Sequence, residues 1–410
     1  MPKHKHPAHT ILTACLAAVG CLSVFIASAA ADALPYGHDY FSVRDGLTNS
    51  RVRFEGEKRG RVAFLGGSIT AMKGWRELTC EALERRFAGT EFDFVDAGIP
   101  SVDSTGDAFR FSQDVLRRGA VDLMFVDASV NDFHNKRTRA ERIRAMEGIV
   151  RHARRANPKM DIVFLCFVDP GYLPIYDAGK TPEVIVDHLK VAEYYGVASI
   201  ELAREVAERI RAGQFAWGKF RDCHPSPFGH GLYVNAIDRL FDAAWAGPLD
   251  DTVVVKDHKL PPRPLDAACY EGGRLVDVSE AKIAKGWRLE ESWKPKGGGG
   301  TRAGFVNVPM LVADEAGAEL VLKFNGTAVG AFVTAGPDCG VLEYSIDGGP
   351  LQQVDQFTEW SGGLYLPWAL LFTADLEPGD HVLKLRTSDR NNPQSKGHAC
   401  QIRWFMVSGE

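Results

Sequence analysis

Five short apolar runs between Arg61 and Leu202 alternate with segments whose apolar residues recur at helical spacing. This alternation limits the fold more than any other feature of the chain. The runs are "RVAFLG" (61–66), "FDFVDAG" (92–98), "VDLMFVDAS" (121–129), "MDIVFLCFV" (160–168) and "YYGVASIEL" (194–202). Between the first two, Trp75, Leu78, Ala82, Leu83 and Phe87 follow a helical period. Thr138 and Glu141 have the spacing of a capping box, and Ile143, Met146, Ile149, Val150 and Ala153 supply the apolar face of a helix over 138–157. Further helices are expected near 182–195 and 202–212. Strands separated by helices form a parallel sheet covered on both faces, so the expected fold class is a three-layer α/β/α unit.

The pattern changes after Gly247. "DHKLPPRPLD" (257–266) holds three prolines in ten positions and reads as a linker. Beyond it, runs such as "AELVLKF", "TAVGAFVTA", "GVLEYSID", "HVLKLRTS" and "CQIRWFMVS" are short, rich in β-formers and bounded by turn residues. This half reads as an all-β sandwich of jelly-roll type. At 410 residues the chain exceeds one ordinary core. The expected division is 1–33, 34–250, 251–266 as linker and 267–410.

The first segment differs from the rest. Lys3 and Lys5 precede an apolar, small-residue run from Ile11 to Ala31, with small residues at cleavage spacing around Ala27–Ala29 and Ala31–Ala33. This is the pattern of a secretory signal peptide, so a secreted or periplasmic protein is expected. A lipoprotein reading through Cys15 fits less well, because that cysteine opens the apolar run instead of ending it. No later segment is long and apolar enough to span a bilayer. Net charge is −5, without a basic run, which argues against a nucleic-acid partner. Six cysteines follow the leader and none forms a CxxC pair, so no metal site is expected. Cys339 and Cys400 are a candidate bridge.

The stretch "RVAFLGGSITAMKGW" (61–75) drives a strand through two glycines and a serine into a helix. It lacks the Gly-Lys-Ser/Thr of a phosphate loop. It also lacks the glycine two positions after the serine that a GxSxG elbow requires, since Thr70 stands there. Ser68 falls at the carboxyl end of a strand, where open α/β sheets bind ligands. A serine nucleophile needs a base, and "DCHPSPFGH" (222–230) offers His224 with Asp222 two residues before it. Acyl transfer also needs donors for the oxyanion. Asn131 in "SVND" and a main-chain N–H near Ser101 in "DAGIPS" end two further strands.

The set GGSIT, DAGIPS, SVND and DCHPSPFGH resembles the SGNH (GDSL-type) hydrolase superfamily over residues 58–245. "STGDAFRF" and "MEGIVRHARRANPKMDIVF" are similar to a bacterial secreted subgroup. The resemblance implies a flavodoxin-like order for the parallel sheet, Ser68 as nucleophile and His224 as base with Asp222 as its partner. It implies an oxyanion hole from Ser68 N–H, Ser101 N–H and the Asn131 side chain, without a cofactor. Four positions depart from the family pattern. Gly67 replaces the usual aspartate, Ser101 a glycine and Ser129 a glycine, and Arg221 stands where the acid should be. Asp222 is one residue closer, so either the loop is shortened or a Ser–His dyad operates. His134 and Asp169 are candidate cleft residues, and His230 reads as structural.

The β half resembles jelly-roll domains attached to carbohydrate esterases, which implies an O-acetylated glycan as substrate. Trp293, Trp360, Tyr365 and Trp368 are either core or a glycan-contacting surface. Two alternatives stay open: a lipase, thioesterase or short-chain esterase on the same site, and a catalytically weak glycan-binding protein.

Overall fold

The computed structural model describes residues 33–250 and 252–409. The expected signal peptide therefore lies, except for Ala33, outside the described residues. No described helix is long and apolar enough to cross a membrane.

The first sheet contains β1 (Phe41–Ser42), β2 (Arg59–Gly66), β3 (Glu91–Gly98), β4 (Leu123–Val126), β5 (Asp161–Leu165) and β6 (Ala198–Ile200), in the order β1-β6-β5-β4-β2-β3. β2 to β6 are parallel, and their order is the flavodoxin-like one. β1 adds an antiparallel edge on β6. The order reverses between β2 and β4, so the segments leaving these two strands flank the crevice where such sheets bind ligands. Alternate side chains face opposite layers: Val62 and Phe64 enter one buried cluster, Ala63 and Leu65 the other. The expected capping box is present. Glu141 N–H donates to Thr138 Oγ1 at 3.3 Å, and Thr138 N–H to Glu141 Oε2 at 2.8 Å, opening helix Arg139–Ala156.

The second half holds two antiparallel sheets. One runs β15 (Leu366–Thr373), β12 (Ala328–Ala335), β17 (Cys400–Ser408), β10 (Met310–Ala313) and β9 (Arg288–Glu290), with β7 (Gly273–Val276) also on β17. The other runs β14 (Gln352–Asp355), β13 (Val341–Ile346), β16 (Gly379–Thr387), β11 (Glu319–Gly326) and β8 (Lys282–Lys285). β12 is buried along its whole length because it faces the second sheet on one side and the α/β half on the other. Val329, Ala331 and Val333 fill the sandwich core, while Phe332 joins Phe109, Ile149, Tyr270, Ala369 and Met406 in a cluster shared by both halves.

One expectation, the Cys339–Cys400 bridge, changes, and two others gain detail. The 257–266 segment connects the halves but is not free: Arg154 donates to Lys259 O at 2.5 Å, Arg151 to Pro261 O at 2.8 Å, and His258 Nε2 lies 2.7 Å from Asp161 Oδ1. Cys339 and Cys400 are both buried free thiols, not a bridge. The aromatic set divides: Trp293 and Tyr365 are core, packed edge to face at 5.5 Å, whereas Trp360 is exposed.

Candidate active site

Ser68 opens the short helix Ser68–Ala71 directly after β2. Its Oγ lies 2.8 Å from His224 Nε2, across 156 residues of chain. A ring carrying its proton on Nδ1 accepts the hydroxyl hydrogen at that distance. The turn beneath Ser68 is fixed from below. Thr70 donates to Asp127 Oδ2 at 2.5 Å, and Asp127 is fully buried at the end of β4, its carboxyl pushed up to about 7 by burial.

Gly67 has a steric reason. A methyl group built there would overlap Asn131 Oδ1 and lie 3.3 Å from the Val102 carbonyl oxygen. The aspartate usual at this position has no room, because the carbamoyl of Asn131 and the Ser101–Val102 turn both press against the nucleophile turn. These three segments, expected together from sequence, do converge.

Asn131 lies in helix Ser129–His134, which follows β4. Its neighbour Asp132 anchors that helix. Asp132 Oδ1 accepts from Ser104 N at 3.0 Å and Ser104 Oγ at 2.8 Å, and Oδ2 lies 2.7 Å from His188 Nε2. Ser101 sits at φ +76°, in a turn closed by Val102 N–H to Ile99 O at 3.2 Å. Pro100 precedes it, so the turn has the proline of a type II turn with a serine where glycine is preferred. A serine therefore stands in the left-handed region at a cost of about 1–2 kcal/mol.

The base side is looser. His224 belongs to a loop between helices Trp217–Phe220 and Pro227–Ala244, and Arg221 in that loop has φ +98°. Asp222 Oδ1 accepts the His224 backbone N–H at 2.6 Å but stays 3.5 Å from Nδ1. Cys223 Sγ is also 3.5 Å from Nδ1. Asp222 thus shapes the loop first and faces the imidazole second. The donor atoms of Asp222, Cys223 and His224 cluster within 4.8 Å, as three consecutive residues of one loop. His230 is structural: it accepts the Trp75 N–H at 3.1 Å.

His134 and Asp169 meet. Their Nε2 and Oδ2 atoms are 2.7 Å apart, and Asp169 Oδ1 is held by Gly171 N–H at 2.8 Å. The Asp169 hydrogen bond raises the His134 pKa. The His134 ring lies 6.0 Å from Trp360 of the β half. A groove of about 200 Å³ opens between them, lined also by Asn135, Glu359 and Trp368. A larger cavity, about 380 Å³, is lined by Asp45, Asn49, Asp161 and His258 at the amino end of β5. It lies away from the strand ends that carry Ser68 and Asn131, whereas the smaller groove includes His134, from the same short helix as Asn131.

Residues 64–232 match the model of the GDSL-like lipase/acylhydrolase family. The α/β half is a GDSL-like hydrolase domain. A crystal structure of a two-domain esterase active on acetylated mannans, co-crystallized with mannopentaose, is similar to the whole chain. It shows 19% identity, a TM-score of 0.71, and coverage of 89% of this chain and 94% of that one. A second structure of a two-domain esterase active on acetylated mannans gives 18% identity, the same score, and coverage of 90% and 97%. The likeness extends over both halves, so the GDSL-like domain and its β-sandwich share a fold with those chains. No curated protein matches in sequence.

Sequence reasoning missed the supports of this GDSL-like domain: Asp127, the Asp132–His188 pair, and Asp103 with Arg137. Each is an ordinary charged residue in its local segment, and each acquires its role from a partner far along the chain.

Proposed function

We propose that the protein is a secreted carbohydrate O-acetylesterase working by acyl transfer through Ser68. The observation that carries this is the 2.8 Å approach of Ser68 Oγ to His224 Nε2 at the switch point of the sheet, beside Asn131 and the Ser101 turn. Ser68 Oγ attacks the acetyl carbonyl carbon while His224 Nε2 takes its proton. The oxyanion receives hydrogen bonds from Ser68 N–H, Ser101 N–H and Asn131 Nδ2. The sugar alkoxide leaves with the proton held by His224. Water, deprotonated by the same nitrogen, then releases acetate and frees Ser68. Asp222 steadies the ring from 3.5 Å. The sugar chain lies in the groove between His134 and Trp360, where an indole face and an imidazole paired with Asp169 suit a hydroxyl-rich ring. The likeness to an esterase active on acetylated mannans makes acetylated mannan the first polymer to offer. The segment 1–33 directs export.

The test is acetate release from acetylated mannan and acetylated xylan, beside 4-nitrophenyl acetate and octanoate, for wild type and Ser68→Ala. Acetate release from a glycan that falls by at least about 10³-fold in the variant supports the reading. Serine-dependent cleavage confined to the octanoate ester moves the assignment to a lipase or thioesterase. No serine-dependent cleavage sinks the acyl-transfer mechanism.

A further inference from the structure

The turn carrying the Ser101 N–H is held against its own backbone preference, and what holds it can be followed bond by bond. The Ser101 carbonyl accepts from Asn135 Nδ2 at 3.3 Å, and the same amide reaches Asp103 Oδ2 at 2.7 Å. Asp103 Oδ2 also accepts from Arg137 Nε at 2.7 Å, while Oδ1 caps helix Ser104–Asp114 through Gly106 N–H at 3.1 Å. Arg137 then crosses to the other half of the molecule. Its Nη2 donates to the Ala369 carbonyl of β15 at 2.7 Å, and its guanidinium lies 5.9 Å from the Trp368 ring centre. Nη1 reaches Glu141 at 3.2 Å. Asp103 is 2% exposed and Arg137 8%, so the links are shielded from water. Only a planar fork can serve these directions at once; an ammonium on a flexible stem cannot.

We infer that Arg137 is a positioning residue through which the β half sets the oxyanion turn: β15 holds Arg137, Arg137 holds Asp103, and Asp103 with Asn135 holds Ser101. The functional part of this inference rests on the esterase reading, which gives the Ser101 N–H its task. The consequence is specific. The β half then governs turnover of an ester too small to touch it, which a domain serving only to bind glycan would not do.

The experiment uses the full chain and three variants. Arg137→Lys keeps the charge beside Asp103 and loses the fork. Asn135→Ala removes the amide that spans Asp103 and Ser101. Asp375→Asn cuts a neighbouring contact between the halves, the 2.8 Å pair of Arg144 with an exposed Asp375, without touching the turn. Two quantities are read. The first is kcat and KM on 4-nitrophenyl acetate per active site, titrated with diethyl 4-nitrophenyl phosphate, so that misfolded protein is not counted. The second is amide hydrogen exchange over residues 101–103. Arg137→Lys and Asn135→Ala are expected to lower kcat per site by roughly 10–100-fold with KM little changed, as befits a displaced oxyanion donor. Both variants exchange faster at 101–103, and Asp375→Asn matches wild type in both readouts. Unchanged kcat per site in Arg137→Lys, or an equal loss in Asp375→Asn, overturns the inference. If wild type itself shows no Ser68-dependent turnover, the esterase reading has failed, and the exchange data decide the coupling alone: unchanged exchange in Arg137→Lys rejects it, faster exchange upholds it.

Discussion

Ser68 and His224 meet at 2.8 Å but arrive from unlike supports. Ser68 rises from the end of a buried strand. Thr70 is tied to Asp127 beneath it, and Asn131 fills the space beside Gly67. Asp132 locks the adjoining helix to Ser104 and His188. His224 hangs from a loop with a left-handed arginine and a half-exposed aspartate that spends its shortest bond on the backbone. The difference follows the chemistry. Donors aimed at developing charge lose their value if they must reorganise during the reaction, so these partly exposed residues are tied to buried neighbours such as Asp127 and Asp132. An imidazole needs reach, and a loop supplies it.

The sharpest way to break this contrast is to remove Asp132. In Asp132→Ala, His188 and Ser104 lose their buried partner, and a loss of about 3 kcal/mol in unfolding free energy is expected. Urea unfolding measures it; a loss below about 0.5 kcal/mol, the scale of an ordinary surface change, would show that the nucleophile side is no better anchored than the base side.

Next comes the pH dependence of the same side. The Asp127 carboxyl is raised to about 7 in the folded protein, against about 3.9 when unfolded. The folded state therefore holds this proton more tightly. The stability it contributes is complete below about pH 4 and lost as pH rises through about 7. Tm should fall between pH 5 and pH 8, and Asp127→Asn should fall less over that interval. Asp107, also raised to about 7 by burial, leaves a residual slope in the variant. Identical slopes in the two proteins would remove Asp127 from the account.

On the base side, Asp222→Asn should lower kcat by no more than about tenfold, since its carboxylate stands 3.5 Å from Nδ1. A loss near 10⁴-fold would instead mark a full triad acid and erase the contrast between the two sides.

The smallest effect tests the strained turn. Ser101→Gly should raise stability by about 1 kcal/mol by relieving the left-handed serine, with kcat on a small ester unchanged within about twofold. A destabilised variant would mean that the Ser101 side chain contributes more than its backbone loses.

What could be read from the chain beforehand was what local sequence encodes. The helix over 139–156 announced itself through Thr138 and Glu141, and β2 to β6 through apolar runs bounded by turns. The segments holding Ser68, Ser101, Asn131 and His224 were legible because each follows a strand or fills a Pro/Gly-rich loop. β1 was not, since two residues carry no period. Nor was the burial of Arg137, whose partners include a carbonyl 232 residues away, or of Asp161, which is matched by His258 from the connecting segment. Charged residues look like surface until their counterparts are known. Trp360 and Trp293 looked alike in sequence; only the packing of the two halves buries one and leaves the other at the groove.

The cluster joining Phe109 and Ile149 to Tyr270, Phe332, Ala369 and Met406 has a further consequence for exchange of the β unit. Burying a large apolar side chain contributes on the order of 2 kcal/mol, and a whole domain nets only about 5–15 kcal/mol, so the five large side chains here, with the smaller Ala369, weigh heavily in that margin. Each unit exposes part of this cluster once parted from the other. A β unit borrowed from an unrelated parent would bring an apolar face shaped for a different neighbour. A replacement β unit must therefore match the shape of Phe109 and Ile149 before it can present any groove to the α/β half.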